Sequence, residues 1–338
     1  MRRLLQVIGA AVALSVIFTI TWSAVAVHTV APRTGAGDLV AAVFGGAQPH
    51  GVLAERLRQN GRINLLLLAR GGAGDDNPDY TDTILVLSIR PGAHRATMIS
   101  LPRYMWVEIP APAGGTVRGK LYAAYALGAS QDPNFLRAEW RTPTGQGDLA
   151  AATVAATLAQ PIDAWVAIDL DAFAAVIDAI GGVRLTVPET LDDPTYPSDV
   201  GEETIHIHFD PGAQTLDGRR ALQYARSRLS TTEADRSRRQ EIVLGALLSS
   251  LESAGLSPSL VGAAGRIKDG MRTDLTPADA QTLKPILRSV RQQDVVRITL
   301  DDSPLLVLEK LGTEQQPVLV PVGGSYQPLQ QFVAGQLP

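Results

Sequence analysis

The chain has 338 residues, 45% of them apolar, with 30 Lys and Arg against 34 Asp and Glu and no cysteine. That length allows one large domain or two small ones, and the missing cysteine excludes disulfides, thiol nucleophiles and thiolate metal sites. A formal net charge of -4 argues against a general affinity for nucleic acid and makes any basic cluster a local feature.

Arg2 and Arg3 precede a run from Leu4 to Val27 without a charge. A bilayer needs about 20 apolar residues, whereas the apolar region of a cleavable signal peptide runs to roughly 7–15. Residues 1–27 are therefore expected to be a short cytoplasmic end and a retained transmembrane anchor. The arginines put the N-terminus inside and the remaining chain outside. Residues 28–60 are rich in Gly, Ala and Pro and read as a stem, with a short helix at Leu53–Gln59.

Ile63–Leu68 is apolar without alternation, the pattern of a strand buried on both faces. The loop Arg70–Asp79 follows it and carries Asp75, Asp76 and Asp79, with Asp82 at the start of the next strand. Oxygen donors of that kind suit a hard cation such as Mg²⁺; equally, they cap backbone groups in an exposed turn. Strands are expected at Thr83–Ile89 and Ala96–Ser100, and Leu101-Pro102-Arg103 ends the latter. Gly119–Gly128 reads as the start of a helix with Lys120 near its head, and residues 130–147 as irregular. Asp148 is expected to cap an Ala-rich helix to Leu158. Asp163–Leu170 is the next strand, followed by a helix capped by Asp171 and closed by Gly181-Gly182, because glycine tolerates the left-handed conformation. A strand at Arg184–Val187 leads to an acidic loop, Asp192–Glu203. His206 and His208 are two apart on a strand, Thr204–Phe209; the sequence offers no third ligand, so they do not define a metal site. Strands alternating with helices predict an α/β sheet covered on both faces.

Arg219–Gln240 holds seven arginines. Gln223–Arg228 reads as a short strand, which would put Arg226 and Arg228 on one face. A helix is expected from Asp235, with Arg236 and Gln240 four apart on one side. Guanidinium forks match phosphate oxygens, so the cluster suits a multivalent anion. The alternative is a solvated face paired with Asp217, Glu233, Asp235 and Glu241. Helices at 259–271 and 277–292, strands at Val295–Leu300 and Pro317–Pro321, and a last helix at Tyr326–Gly335 complete a domain read as residues 61–338.

From Ile63 to Leu251 the chain resembles the LytR-CpsA-Psr family of bacterial cell-wall enzymes. The elements that carry the resemblance come in the family's order: TDT at 81–83, SLPR at 100–103, GKLYAAYALG at 119–128, IDAIGGV at 177–183, GAQTLDGRRALQYARSR at 212–228 and ADRSRRQ at 234–240. The resemblance implies a three-layer α/β/α domain with a mixed central sheet behind the N-terminal anchor. It also implies transfer of a glycopolymer phosphate from a polyprenyl-diphosphate carrier to peptidoglycan, outside the cell membrane and with Mg²⁺. Partners would be the lipid-linked glycopolymer, peptidoglycan and membrane lipid, with no nucleic acid. Asp82 and Arg103 would be catalytic. Arg103, Lys120, Arg226, Arg228, Arg236, Arg239 and Gln240 would bind the diphosphate, and Asp82, with Asp75 or Asp76, the metal. The chain departs from the family pattern where Arg70-Gly71-Gly72 replaces an aspartate. It departs again at Tyr80, Tyr104 and Tyr122, which stand for an arginine, an aspartate and an asparagine. A module that holds lipid diphosphates without transfer is the competing expectation.

Overall fold

The computed structural model describes residues 52–71, 77–93, 95–111, 115–198, 204–227, 269–290, 295–301, 303–311 and 316–338, and part of 235–267. The expected anchor and most of the stem, with Asp75, Asp76 and Arg228, lie outside the described residues. Among the described residues no helix is long and apolar enough to cross a membrane. The stem's short helix is α1 (Val52–Asn60).

The chain forms two compact units. The first, the sheet unit, comprises residues 50–169, 271–282 and 289–338. Its centre is β1 (Ile63–Arg70), whose first six residues are all buried. β2 (Thr81–Arg90) pairs with it antiparallel and β6 (Ala164–Asp169) parallel. β3 (Arg95–Ser100) extends the sheet antiparallel to β2, and β12 (Val295–Thr299) and β11 (Met271–Thr273) form its edges. The result is a mixed six-stranded sheet in the order β11-β6-β1-β2-β3-β12. A small ladder of β4 (Trp106–Ile109) and β5 (Val117–Lys120) leads into α2 (Ala123–Leu127). Here the expected helix at Gly119 begins later. Lys120 ends a strand, because the Trp106–Lys120 pairing takes up its backbone.

α3 (Gly145–Leu158) covers the sheet. Asp148 sits in its first turn and is not its cap. The carboxylate accepts instead from Thr144 Oγ1 at 2.7 Å and from Trp165 Nε1 at 2.9 Å. Trp165 is 2% exposed, and burying a side chain of its size removes roughly 150–250 Å² from water, worth about 4–6 kcal/mol. Gly147 makes this possible: a Cβ there would lie 2.1 Å from the Trp165 ring. α6 (Pro277–Ser289) offers Asp279, whose Oδ1 accepts from the Leu53 amide at 2.9 Å. A hairpin of β13 (Leu306–Leu311) and β14 (Gln316–Pro321) and a terminal α7 (Gln327–Gln336) complete this unit.

The second, the hairpin unit, lies within residues 170–270 and 283–288. α4 (Leu170–Ala179) ends at Gly181 and Gly182, with φ of 84° and 93° as expected. β7 (Val183–Val187) pairs with β10 (Gly212–Leu216), and β8 (Leu191–Pro197) with β9 (Thr204–Phe209). The acidic segment from Asp192 is thus a strand as far as Pro197, although its prolines suggested a loop. A two-stranded ladder leaves one side of each strand unpaired, which tolerates proline. α5 (Gly218–Arg226) follows, and Asp217 caps it by accepting from the Arg220 amide at 2.8 Å. Gly218 lets it approach α4, since a Cβ would meet the Ala174 carbonyl oxygen at 2.3 Å.

Candidate functional site

In the sheet unit, three stretches far apart in sequence are tied together by the main chain of Tyr122. Its carbonyl accepts from the Thr81 amide at 3.2 Å, and its amide donates to the Arg103 carbonyl at 3.1 Å. The start of β2, the end of β3 and the end of β5 therefore meet. Asp82, Arg103 and Lys120, each expected at the site, come from those three ends.

Arg103 donates to the Asp82 carboxylate and, at 2.5 Å, to the Tyr104 hydroxyl. Its guanidinium carbon lies 4.6 Å from the Tyr104 ring centre and 5.6 Å from that of Tyr122. Lys120 Nζ lies 5.3 Å and 6.0 Å from the same two rings and donates to Gln316 Oε1 at 2.8 Å. Tyr80 completes the group, with its ring 4.6 Å from that of Tyr122. The three tyrosines that depart from the family pattern are thus one cluster. Aromatic faces attract cations through their quadrupole and hold two positive side chains side by side that would otherwise repel. Burial, with Tyr80 next in weight, raises the Tyr122 hydroxyl above its ordinary range, so it stays protonated. Sequence reasoning took these tyrosines as losses. The signal that would have joined them was the backbone pairing around Tyr122, which no short motif encodes.

Arg103 is only partly exposed, at 17% of its side chain, and its Nε is buried without a hydrogen-bond partner. With one carboxylate partner among the described residues, the partly exposed terminal nitrogens of this guanidinium keep hydrogens for an anion. Asp82 keeps 34% of its side chain exposed, so its oxygens fit a hard cation that completes its shell with water and phosphate. At the end of β1, where the family pattern has a carboxylate, Arg70 turns its guanidinium to Asp169 at 3.1 Å and to Asp79 at 3.7 Å. Both carboxylates are therefore engaged by a built-in cation.

In the hairpin unit the arginine stretch is helical where a strand was expected. Arg226 is the last residue of α5. The Asp217 cap and the buried Ala221, Tyr224 and Ala225, at helical spacing, outweigh the period-two pattern of the two arginines. Ser227 then turns to an extended conformation, and the Arg228 half of the expected strand pair lies outside the described residues. A cation in the last turn complements the helix dipole. Arg236 and Gln240 both lie in the following helical stretch, and both are partly buried. Arg239 corrects an expectation: it points inward, 6% exposed. Its Nε donates to the Tyr224 carbonyl at 2.9 Å, and its fork also donates to the Ser227 carbonyl. It closes the C-terminal end of α5, whose last carbonyls have no helical donor, and leaves no fork for a phosphate.

The chain belongs to the LytR_cpsA_psr family, whose model matches residues 44–315. It is 27% identical over 227 residues to the polyisoprenyl-teichoic acid–peptidoglycan teichoic acid transferase TagV of Bacillus subtilis, covering 67% of this chain and 52% of that protein. To TagU of Oceanobacillus iheyensis, a transferase of the same description, it is 30% identical over 67% of this chain and 63% of that one. The chain thus matches less than two thirds of either relative's length. Its fold is similar to the crystal structure of B. subtilis TagV, with a TM-score of 0.58 at 22% identity over 82% of this chain and 97% of that one. It is similar also to TagT bound to LI-WTA, at a TM-score of 0.57 and 22% identity over 82% and 92%.

Proposed function

We propose that this member of the LytR_cpsA_psr family transfers a glycopolymer phosphate from a polyprenyl-diphosphate carrier to peptidoglycan. The observation that carries the reading is that Arg103 and Lys120 both lie against the Tyr104 and Tyr122 rings, with Asp82 against Arg103. Two cations held on the same pair of aromatic rings suit a doubly charged anion. The relatives named above act on polyisoprenyl-linked teichoic acid and peptidoglycan, which supports the same substrate class here.

A diphosphate carries its own leaving group, so the protein has to position it and neutralise developing charge. Arg103 and Lys120 hold oxygens of the diphosphate; Arg226, Arg228, Arg236 and Gln240 remain the further anion ligands that the family resemblance implies, while Arg239 fixes the end of α5. The acceptor hydroxyl oxygen bonds to the phosphorus of the glycopolymer phosphate. The bridging P–O bond breaks, and polyprenyl monophosphate leaves with the electron pair. When Arg103 turns to the substrate it frees Asp82, whose carboxylate is then available as a metal ligand or to take the acceptor's proton. Mg²⁺, bound at Asp82 and the substrate phosphates, would supply further charge neutralisation. The uncharged run Leu4–Val27 supports a single membrane anchor with the N-terminus cytoplasmic and the remaining chain outside, as a lipid-linked donor requires. Helices on both faces of the mixed sheet, giving three layers, are part of the same reading.

A second reading, binding of lipid diphosphates without transfer, is favoured by Arg70 occupying Asp79 and Asp169. One experiment separates the two. Detergent-solubilised full chain is given lipid-linked glycopolymer and peptidoglycan, with and without Mg²⁺, beside an Arg103→Ala variant. Transfer by the native chain and its loss in the variant is the expected result. Tight donor binding without any transfer would leave the second reading standing instead.

A further inference from the structure

The β8–β9 hairpin carries a second set of convergent donors, on residues the transfer reaction does not use. β9 alternates cleanly: Ile207 and Phe209 are buried, whereas His206 and His208 are exposed. Residues two apart on a strand share a face, so both imidazoles stand on the outer side. The register sets Asp192 of β8 directly opposite His208, on the same side. Asp192 Oδ1 lies 2.8 Å from His206 Nε2 and 2.8 Å from His208 Nδ1. The three ligand atoms fall within 4.8 Å of one another.

A fourth residue orients the group. His208 Nε2 lies 3.2 Å from Asp210 Oδ1. With an ion in place, a hydrogen on Nε2 satisfies that contact, and Nδ1 gives up the hydrogen it donates to Asp192 and turns its lone pair to the ion. A carboxylate that receives the outer N–H of an imidazole, fixing its tautomer and raising its basicity, is the usual support of a metal-ligating histidine. Beneath the strand, Arg220 donates to the His208 carbonyl at 2.6 Å and stacks on Phe209 at 3.8 Å, so the backbone that carries the site is held.

We propose that Asp192, His206 and His208 form a site for a divalent transition metal of the zinc class, with Asp210 positioning His208. Zinc bonds of about 2.0–2.1 Å in tetrahedral arrangement set neighbouring ligand atoms roughly 3.3 Å apart. The present 2.8 Å contacts reach that by a small opening of the side chains. Two imidazoles and a carboxylate suit Zn²⁺, Ni²⁺ or Cu²⁺, not Mg²⁺, which prefers oxygen ligands. The ion would bridge the two strands of a hairpin that has no third strand among the described residues, and a two-stranded ladder is only marginally stable by itself.

The test uses detergent-solubilised full chain made without a polyhistidine tag and stripped with chelator. Zn²⁺ is titrated calorimetrically and Co²⁺ by its visible absorption. One ion should bind per chain, in the presence of excess Mg²⁺. His206→Ala, His208→Ala and Asp192→Asn should each weaken it at least tenfold, and Asp210→Asn by about 10–100-fold. Zn²⁺ should raise the melting temperature of the native chain and not that of the double histidine variant. Equal melting temperatures of native and variant chains in chelator establish that the exposed substitutions leave the fold intact. The chain has five histidines in all, so zinc binding that survives in the double variant belongs elsewhere and overturns the proposal. So does the absence of binding by the native chain at millimolar Zn²⁺, in which case Asp192 merely bridges two imidazoles.

Discussion

The sheet unit and the hairpin unit handle arginine in opposite ways. Just past the end of β3, Arg103 is propped between aromatic faces and a partly exposed carboxylate, with part of its fork exposed. In the hairpin unit, Arg239 is buried and spends its donors on the carbonyls of Tyr224 and Ser227. One presents charge and the other closes a helix, although the sequence offers both as phosphate ligands. What separates them is the partner: carbonyls at a helix end consume a guanidinium, whereas tyrosine rings hold it and leave its hydrogen-bonding edge available. Position within an arginine-rich motif therefore does not tell which arginine meets the substrate.

The largest break in this comparison should come from Arg239→Ala. Two buried carbonyls lose their donor, at about 1–3 kcal/mol each, so the variant should lose about 2–6 kcal/mol of stability in denaturant titration. Arg226→Ala, at the last turn of the same helix, should cost less, about 0.3–1 kcal/mol from the lost helix-dipole interaction, and should weaken diphosphate binding. If Arg239→Ala melts like the native chain while losing affinity, the contrast between the two units fails.

Arg103→Ala should act on binding alone. Losing charge-assisted bonds worth about 1.5–3 kcal/mol weakens a polyprenyl diphosphate roughly ten- to a hundredfold. Arg103→Lys should not restore it, because a point charge cannot both stack on the Tyr104 and Tyr122 rings and present a planar fork to a phosphate. Isothermal titration with a short-chain polyprenyl diphosphate decides both.

A third effect sharpens the comparison by reporting only on the sheet unit. Burial raises the Asp274 carboxyl to about 6, against the opposing pull of the Trp165 amide that it accepts at 2.8 Å. The folded chain therefore holds a proton that the unfolded chain has already lost. This contribution is fully present below about pH 4 and disappears as pH rises through about 6. Because the residue keeps more than a third of its surface exposed, solvent screening reduces the effect, and stability should gain about 1–2 kcal/mol from this group on acidification from pH 7 to 4. Asp274→Asn should flatten that part of the profile, followed by Trp165 fluorescence.

These contrasts also mark how far the sequence could be read. β1, β2 and β3 were legible because continuous apolar runs bounded by turn residues admit few alternatives. Asp82 and Arg103 were singled out by the ordered motifs, and the structure brings the two side chains into contact. Lys120 was misplaced on a helix because its strand is four residues long and exists only through pairing with β4. Arg226 was misplaced on a strand because a six-residue window reads equally well with either period, and the deciding cap lies outside it. Asp192 and the tyrosine cluster were invisible, since each depends on cross-strand register or backbone pairing between distant segments.

The smallest effect expected concerns the metal, and it tests whether the presented arginine and the carboxylate act as one device. Asp82 is the described carboxylate of the metal-binding element, and one carboxylate holds Mg²⁺ weakly unless substrate phosphates complete the shell. Arg103 also occupies it. Mg²⁺ should therefore bind the free chain poorly and the diphosphate complex about tenfold more tightly, a coupling of about 1.4 kcal/mol. Asp82→Asn removes both the metal ligand and the anchor of Arg103. Coupling should vanish, while diphosphate binding without Mg²⁺ stays equal or improves, because the guanidinium no longer has to leave a carboxylate. Calorimetric titration of Mg²⁺ into the free chain, the complex and the variant complex measures all three. Tight Mg²⁺ binding to the free chain would mean that a second carboxylate joins Asp82. A variant that binds the diphosphate worse would mean that Asp82 holds Arg103 in place for the substrate and does not compete with it.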